Sequence, residues 1–207
     1  MKVFLIRHAE SELNRSNTHQ YPHTKLSKTG LRQAELLAER FSGAKVDLII
    51  ASRYTRAMQT ARILQKRLKK RIVYTSLLNE LKRPSEVEGK STESKIALRI
   101  SAEFLKHFYD PGWHYSDEEN FFDLRRRASA FIKYLKKKNK GSIAVVTHGH
   151  VIRMLLALAV FGENMSMDDC YKFFGFVRLD NTGITECEFT DGKWRLLRLN
   201  DHAHLRG

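Results

Sequence analysis

Ile143-Ala144-Val145-Val146 is an apolar, β-branched run that Thr147-His148-Gly149 brings to an end. A run of four with such a stop predicts a buried strand. Val151 to Phe161 continues as an apolar helix. The same pairing recurs upstream. Val3 to Ile6 predicts a buried strand, and residues 9–26, with His19, Tyr21, Pro22 and His23, read as a polar loop. Ser27 suits a helix cap, and Leu31, Ala34, Leu37, Ala38 and Phe41 follow at helical spacing, with Gly43 predicted to close the helix. Val46 to Ala51 predicts a second strand, Tyr54 to Leu68 a helix with Ala57, Thr60, Ala61 and Leu64 on one face, and Arg71 to Tyr74 a third strand.

Residues 76–92 form another polar loop, holding Glu80, Arg83, Pro84, Glu86, Glu88 and Gly89. Helical stretches at about 93–109 and 119–138 are split by Asp110-Pro111-Gly112. From Phe174 to Asn200 the chain alternates like strands, with turns at Asn181-Thr182-Gly183 and Asp191-Gly192. Strand–helix alternation predicts an α/β fold: a three-layer αβα sandwich with a mainly parallel central sheet, antiparallel strands at the end and a small helical cap subregion. Residues 1–207 read as one domain, with about 76–140 contributing the cap.

At 207 residues the chain is long enough to build a core without staples. It is 42% hydrophobic and 29% charged, which argues against disorder. No apolar run is long enough for a transmembrane helix. The first apolar run is too short for a signal peptide. Cys170 and Cys187 are too few for a disulfide framework and too far apart for a CxxC metal site. A cytoplasmic setting is the expectation, with no membrane partner.

The balance of 37 Lys+Arg against 23 Asp+Glu gives a net charge of +14. Such an excess invites nucleic acid first and a phosphate-bearing substrate second. The charge is clustered at Lys66, Arg67, Lys69, Lys70 and Arg71, at Arg125, Arg126 and Arg127, and at Lys136, Lys137, Lys138 and Lys140. Runs at helix ends complement the helix dipole and read as solvated faces. No nucleic-acid-binding motif accompanies them, so a nucleic-acid partner is not expected.

In sheets of this kind ligands bind beyond the carboxyl ends of the strands. Arg7 and His8 stand just past the first strand, Ser52, Arg53 and Arg56 past the second, and His148 past the late one. Guanidinium groups bind phosphate through paired, charge-assisted hydrogen bonds. A neutral imidazole can attack phosphorus, and nearby arginines keep it neutral. Fixed cations can also neutralise charge on the transferring group, as Mg²⁺ does elsewhere.

Arg7-His8-Ala9-Glu10-Ser11, followed by Asn14, resembles the Arg-His-Gly opening of the histidine phosphatase superfamily, the phosphoglycerate-mutase-like proteins. Leu26-Ser27-Lys28-Thr29-Gly30-Leu31-Arg32-Gln33-Ala34 is similar to that family's helix start. Ser52-Arg53-Tyr54-Thr55-Arg56-Ala57 resembles its second signature, and Thr147-His148-Gly149-His150 its third. The likeness runs in order over roughly residues 1–160. It implies that His8 becomes phosphohistidine and that Arg7, Arg56 and His148 complete the phosphate pocket. Asn14 and the backbone N–H of Gly149 are implied as further phosphate contacts. Glu80 matches the acid that protonates the leaving group and then activates water, with Glu86 and Glu88 as competitors. Arg53 and Arg83 are candidates to touch the substrate. The resemblance calls for no metal and no other cofactor. Ala9 for the usual Gly, His23 for the usual Asp and Arg53-Tyr54-Thr55 for Pro-Leu-Lys are departures that bear on substrate choice.

Smaller signals read structurally: His150 as an exposed helix-start residue, His202 and His204 as too few for a metal site, Cys170 as a buried thiol. The expected function is phosphomonoester hydrolysis on a small phosphorylated metabolite. The alternatives are phosphoglycerate-mutase-type transfer, which in this family uses longer chains, and a non-catalytic phosphate or nucleic-acid binder. A homo-oligomer is left open.

Overall fold

The computed structural model describes residues 1–138 and 141–206, so Lys140 lies outside the described residues. In chain order come β1 (Lys2–Arg7), α1 (Lys28–Arg40), β2 (Leu48–Ser52), α2 (Thr55–Leu68) and β3 (Ile72–Thr75). They are followed by α3 (Lys95–His107), α4 (Phe121–Lys138), β4 (Ser142–Thr147), α5 (Gly149–Phe161), α6 (Met167–Phe176), β5 (Ile184–Thr190) and β6 (Lys193–Asp201). The sheet has the order β3-β2-β4-β1-β5-β6. β1 and β2 each pair in parallel with β4, and β3 in parallel with β2. β5 and β6 are antiparallel, as the alternating tail predicts.

Because side chains alternate across a strand, each central strand feeds two cores. Ile6, Ile49, Ala51, Ala144 and Val146 point to one face, against Leu37, Phe41, Ala57, Ala61 and Leu64 of the α1–α2 side. Val3, Leu5, Ile50, Ile143 and Val145 point to the other, against Leu124, Phe131, Leu135 and the buried face of α5. That is the three-layer sandwich. Among residues 76–140, α4 belongs to a layer, since Ala128, Phe131 and Leu135 are buried in the core.

Three local expectations change. Gly43 does not close α1, which ends at Arg40 with Phe41 as its C-cap in the right-handed region. Phe174 to Phe176 are helical rather than strand, because Ser166 caps α6 by accepting from Asp169 N–H, and Cys170 is the buried anchor of that helix. Aromatic spacing around Phe173 and Phe174 hid that helix; the Ser166-Met167-Asp168-Asp169 cap was its visible signal.

Arg127 is not a solvated charge. Its guanidinium donates to the carbonyls of Leu77 at 2.9 Å and Asn79 at 2.7 Å, and forks onto Glu119 at 2.8 and 2.6 Å. Arg126 beside it is exposed. The described lysine runs are exposed at the carboxyl ends of α2 and α4. Each of those helices leads into a parallel strand, so the runs lie at the strands' amino ends.

Candidate active site

Parallel pairing fixes where the motif residues meet. Arg7 is in register with Thr147 across β1 and β4, and Ala51 with Val146 across β2 and β4. His8, Ser52 and His148 therefore leave three adjacent strands at one rim, and all three are buried. The polar loop that follows β1 is pinned by motif residues with no chemical task. Ser27 donates to Glu10 Oε1 at 2.6 Å and accepts from Gly30 N–H at 2.9 Å. Gln33 and Gln59 accept from the backbone N–H groups of Glu10 and Leu26. Gly30 is required because a Cβ there would collide with the Glu10 carbonyl.

His8 is held in one tautomer. Its Nδ1 lies 2.7 Å from the Ala9 carbonyl, which can only accept, so Nδ1 carries the proton. Nε2 is left as the lone pair, accepting from Arg56 Nε at 3.2 Å. Burial, then Arg56 and Arg7, hold the ring well below the usual histidine range, and so neutral. Arg56 is itself buried and donates to the Tyr21 carbonyl at 3.1 Å. Burial, opposed by Glu80, brings its pKa down to about 10, which leaves it charged at neutral pH. Arg7 donates to the Leu179 carbonyl at 2.6 Å, while its buried Nε has no partner among the described residues. The His148 ring lies 5.0 Å from that of His8, with Nε2 2.8 Å from Ser52 Oγ. Burial and then Arg56 lower its pKa well below the usual range.

A cleft of about 230 Å³ opens above these groups. Arg7, His8 and Arg56 form its floor, with Glu80, Tyr54 and His150 beside them. Glu80 Oε1 accepts from Leu81 N–H at 2.9 Å, and Oε2 faces His150 Nδ1 at 3.5 Å. Burial pushes the Glu80 carboxyl up, but the neighbouring His150, then His148 and the Leu81 N–H, outweigh it and hold it well below the usual carboxylate range. His150 is thus a pocket residue rather than a solvent-facing one. Its sequence signal was its place in the first turn of α5, which starts at the rim.

The structure distributes the remaining candidates. Arg83 and Glu88 line the cleft, and the Arg83 guanidinium lies over the Phe104 ring at 4.5 Å. Glu86 does not line it; that carboxylate accepts from Ser116 Oγ. Arg53 is exposed and off the lining. Asn14 is also off the lining, with Oδ1 accepting from the Ser11 N–H and hydroxyl at 3.1 and 2.9 Å. Gly149 opens α5, whose first turn has no side-chain cap. His148 sits beneath the floor rather than on it. His202 and His204 lie apart, bonded to the Asn200 carbonyl and Thr182 Oγ1. Among the described residues no group of three or more His, Cys, Asp or Glu could hold a metal ion, and no helix is long and apolar enough to cross a membrane.

Known proteins share this fold. A model of the histidine phosphatase superfamily (branch 1) matches residues 3–202. Phosphoserine phosphatase 1 of Hydrogenobacter thermophilus is 24% identical over 207 residues, covering 99% of this chain and 94% of that one. Adenosylcobalamin/alpha-ribazole phosphatase of Escherichia coli is 26% identical over 161 residues, 76% of this chain and 78% of its own. The solved alpha-ribazole phosphatase of Shigella flexneri has the same fold, with a TM-score of 0.80 at 22% identity over 98% of this chain and 97% of that one. With the family match running from β1 through β6, this chain belongs to the histidine phosphatase superfamily, branch 1.

Proposed function

We propose that this histidine phosphatase hydrolyses small phosphomonoesters through His8, Glu80 and the cationic floor between them. One observation carries the assignment: His8 is buried, neutral and locked by the Ala9 carbonyl so that the lone pair is on Nε2, where it accepts from Arg56. Nε2 attacks phosphorus and the bond from phosphorus to the ester oxygen breaks. Glu80 supplies the proton that the leaving oxygen needs. Water then attacks the phosphohistidine, Glu80 takes its proton, and inorganic phosphate and neutral His8 are released.

Glu80 is ionised in the free site. It must be protonated to act first as an acid. A substrate dianion on the floor offsets the charge of Arg7 and Arg56 and raises the carboxyl's pKa, so binding itself arms it. Glu88, Lys82 and Arg83, all in the cleft lining, supply both signs of charge around the leaving group. That suits a leaving group bearing both an ammonium and a carboxylate, as phosphoserine does. We assign the enzyme to a cytoplasmic setting on its lack of paired cysteines.

The test is turnover of p-nitrophenyl phosphate, phosphoserine, alpha-ribazole phosphate and phosphoglycerates, with and without EDTA, followed by trapping of alkali-stable phosphoenzyme. Phosphate release that survives EDTA and requires His8 is expected. Full activity in His8→Ala would end the assignment. Phosphoglycerate interconversion faster than phosphate release would make the protein a mutase.

A further inference from the structure

Ser52 and Asn79 do no chemistry on phosphate in the mechanism above, yet their hydrogen bonds admit only one proton arrangement. Asn79 Oδ1 lies 3.0 Å from Arg53 N and 3.1 Å from Ser52 Oγ. The Arg53 N–H can only donate, which identifies the Asn79 atom as the carbonyl oxygen. Between that oxygen and Ser52 Oγ the only available proton is the serine's own. The single hydroxyl proton of Ser52 is therefore committed to Asn79. Ser52 Oγ also accepts from Tyr54 N–H at 3.1 Å. Nε2 of His148, 2.8 Å from the same oxygen, must then be the donor. Its other nitrogen, Nδ1, is buried without any partner among the described residues, although the ring is fully enclosed.

We infer that Ser52 and Asn79 are positioning residues that lock neutral His148 as the Nε2–H tautomer, so that its unpartnered Nδ1 takes up a proton when a tetrahedral dianion enters the pocket. The inference rests on the phosphate-pocket assignment above. A lone pair at Nδ1 would repel an incoming anion, whereas the doubly protonated ring donates to both Ser52 and the anion. The groups facing His148 are His8 from the end of β1, Tyr54 just before α2 and Arg56 in its first turn, Glu80 from the loop after β3 and Arg127 from α4. In the free site burial and Arg56 keep the ring neutral, so the proton arrives with the ligand. Asn79 precedes Glu80, so one side chain sets the proton on His148 and anchors the loop of the acid.

The test uses the full chain labelled with ¹⁵N, with tungstate as a dianion that does not itself titrate near neutrality. Long-range ¹H–¹⁵N spectra report each ring's tautomer, and His148→Asn identifies the signals. At pH 8 the free protein should show neutral His148 protonated at Nε2, and saturating tungstate should protonate both nitrogens. Tungstate Kd should rise about tenfold per pH unit above neutrality, the signature of one proton taken up. In Asn79→Ala the Ser52 hydroxyl is free to donate to Nε2, so a share of His148 should switch to Nδ1–H and the pH slope should flatten. Asn79→Asp keeps the acceptor and should keep the lock. A free protein with His148 protonated at Nδ1, a pH-flat tungstate Kd, or an Asn79→Ala protein with wild-type spectrum and slope would each overturn the inference. The wild-type measurements stand even if a variant does not fold. They also separate from turnover: an inactive protein with the lock intact would refute only the hydrolase assignment.

Discussion

The floor and the wall of the cleft are built on opposite plans. The floor residues Arg7, His8 and Arg56, with His148 beneath, come from strand ends and the first turn of a helix. Carbonyls of Leu179, Ala9 and Tyr21, together with the Ser52 hydroxyl, hold their polar atoms. The wall residues Thr18, His19, Gln20, Lys82, Arg83 and Glu88 come from the two polar loops and are half-buried. Preorganised charge is worth most where water is excluded, and this is where charge develops in phosphoryl transfer. In the proposed reaction the wall meets the leaving group, which carries less charge and varies between substrates. The floor therefore fixes the reaction and the wall the substrate, so the two regions should respond differently to substitution.

The largest effect should come from the floor. His8→Asn should lower kcat by at least about 10³-fold and abolish phosphoenzyme in a radiolabel trap. Glu80→Gln, at the boundary of floor and wall, should cost about 10²- to 10⁴-fold on an alkyl phosphate. The loss should be much smaller on p-nitrophenyl phosphate, whose leaving group needs no proton. Equal losses on both would remove Glu80 as the acid.

Next comes the brace behind the boundary. Arg127→Ala should lower kcat roughly tenfold, since it frees the Leu77 and Asn79 carbonyls and strands Glu119. Arg126→Ala, which loses only an exposed pair with Asp123, should leave kcat and thermal stability unchanged. On the wall, Glu88→Gln should shift kcat/KM between phosphoserine and phosphoglycerate by about tenfold while p-nitrophenyl phosphate turnover stays level. A uniform fall across substrates would move Glu88 into the floor.

The smallest effect is on stability. His8 and His148 have folded-state pKa values below the unfolded value. Above about pH 6.5 both states are neutral there, and their contribution is fully present. As pH falls below about 6.5 the unfolded chain binds protons that the folded site refuses, so stability is lost toward acid. Calorimetry from pH 7.5 to 5 should show Tm falling. The fall should be shallower in His8→Asn, because one of the two refusing rings is gone.

The floor was legible in the sequence to an extent that the wall was not. Val3 to Ile6 and Ile143 to Val146 announce strands by composition, and Arg7-His8 and Thr147-His148 sit at their ends. Once the strands are parallel, those pairs must meet. Glu80 was legible as the candidate acid only through the family resemblance, and its partner His150, though placed in a first helical turn, was read as exposed. Nothing local distinguishes a histidine on an exposed first turn from one facing a carboxylate across the cleft. Arg127 was hidden in the same way. Within Arg125-Arg126-Arg127 the three residues look alike, yet they point 100° apart around α4 and meet an aromatic pair, solvent and a row of carbonyls.

By itself the sequence determined the alternation of strands and helices, the two cores on either side of the sheet and the placing of Arg7, His8, Ser52 and His148 at strand ends. Period and composition act locally, and parallel topology converts strand ends into one rim. Tertiary structure alone decided which proton sits on His8 and His148, that Glu80 faces His150, that Arg127 is a brace, and that the described lysine runs lie at the amino ends of the strands. Each of those depends on which backbone carbonyl or side chain from a distant element comes within hydrogen-bond reach. That is a distance in space which spacing along the chain does not encode.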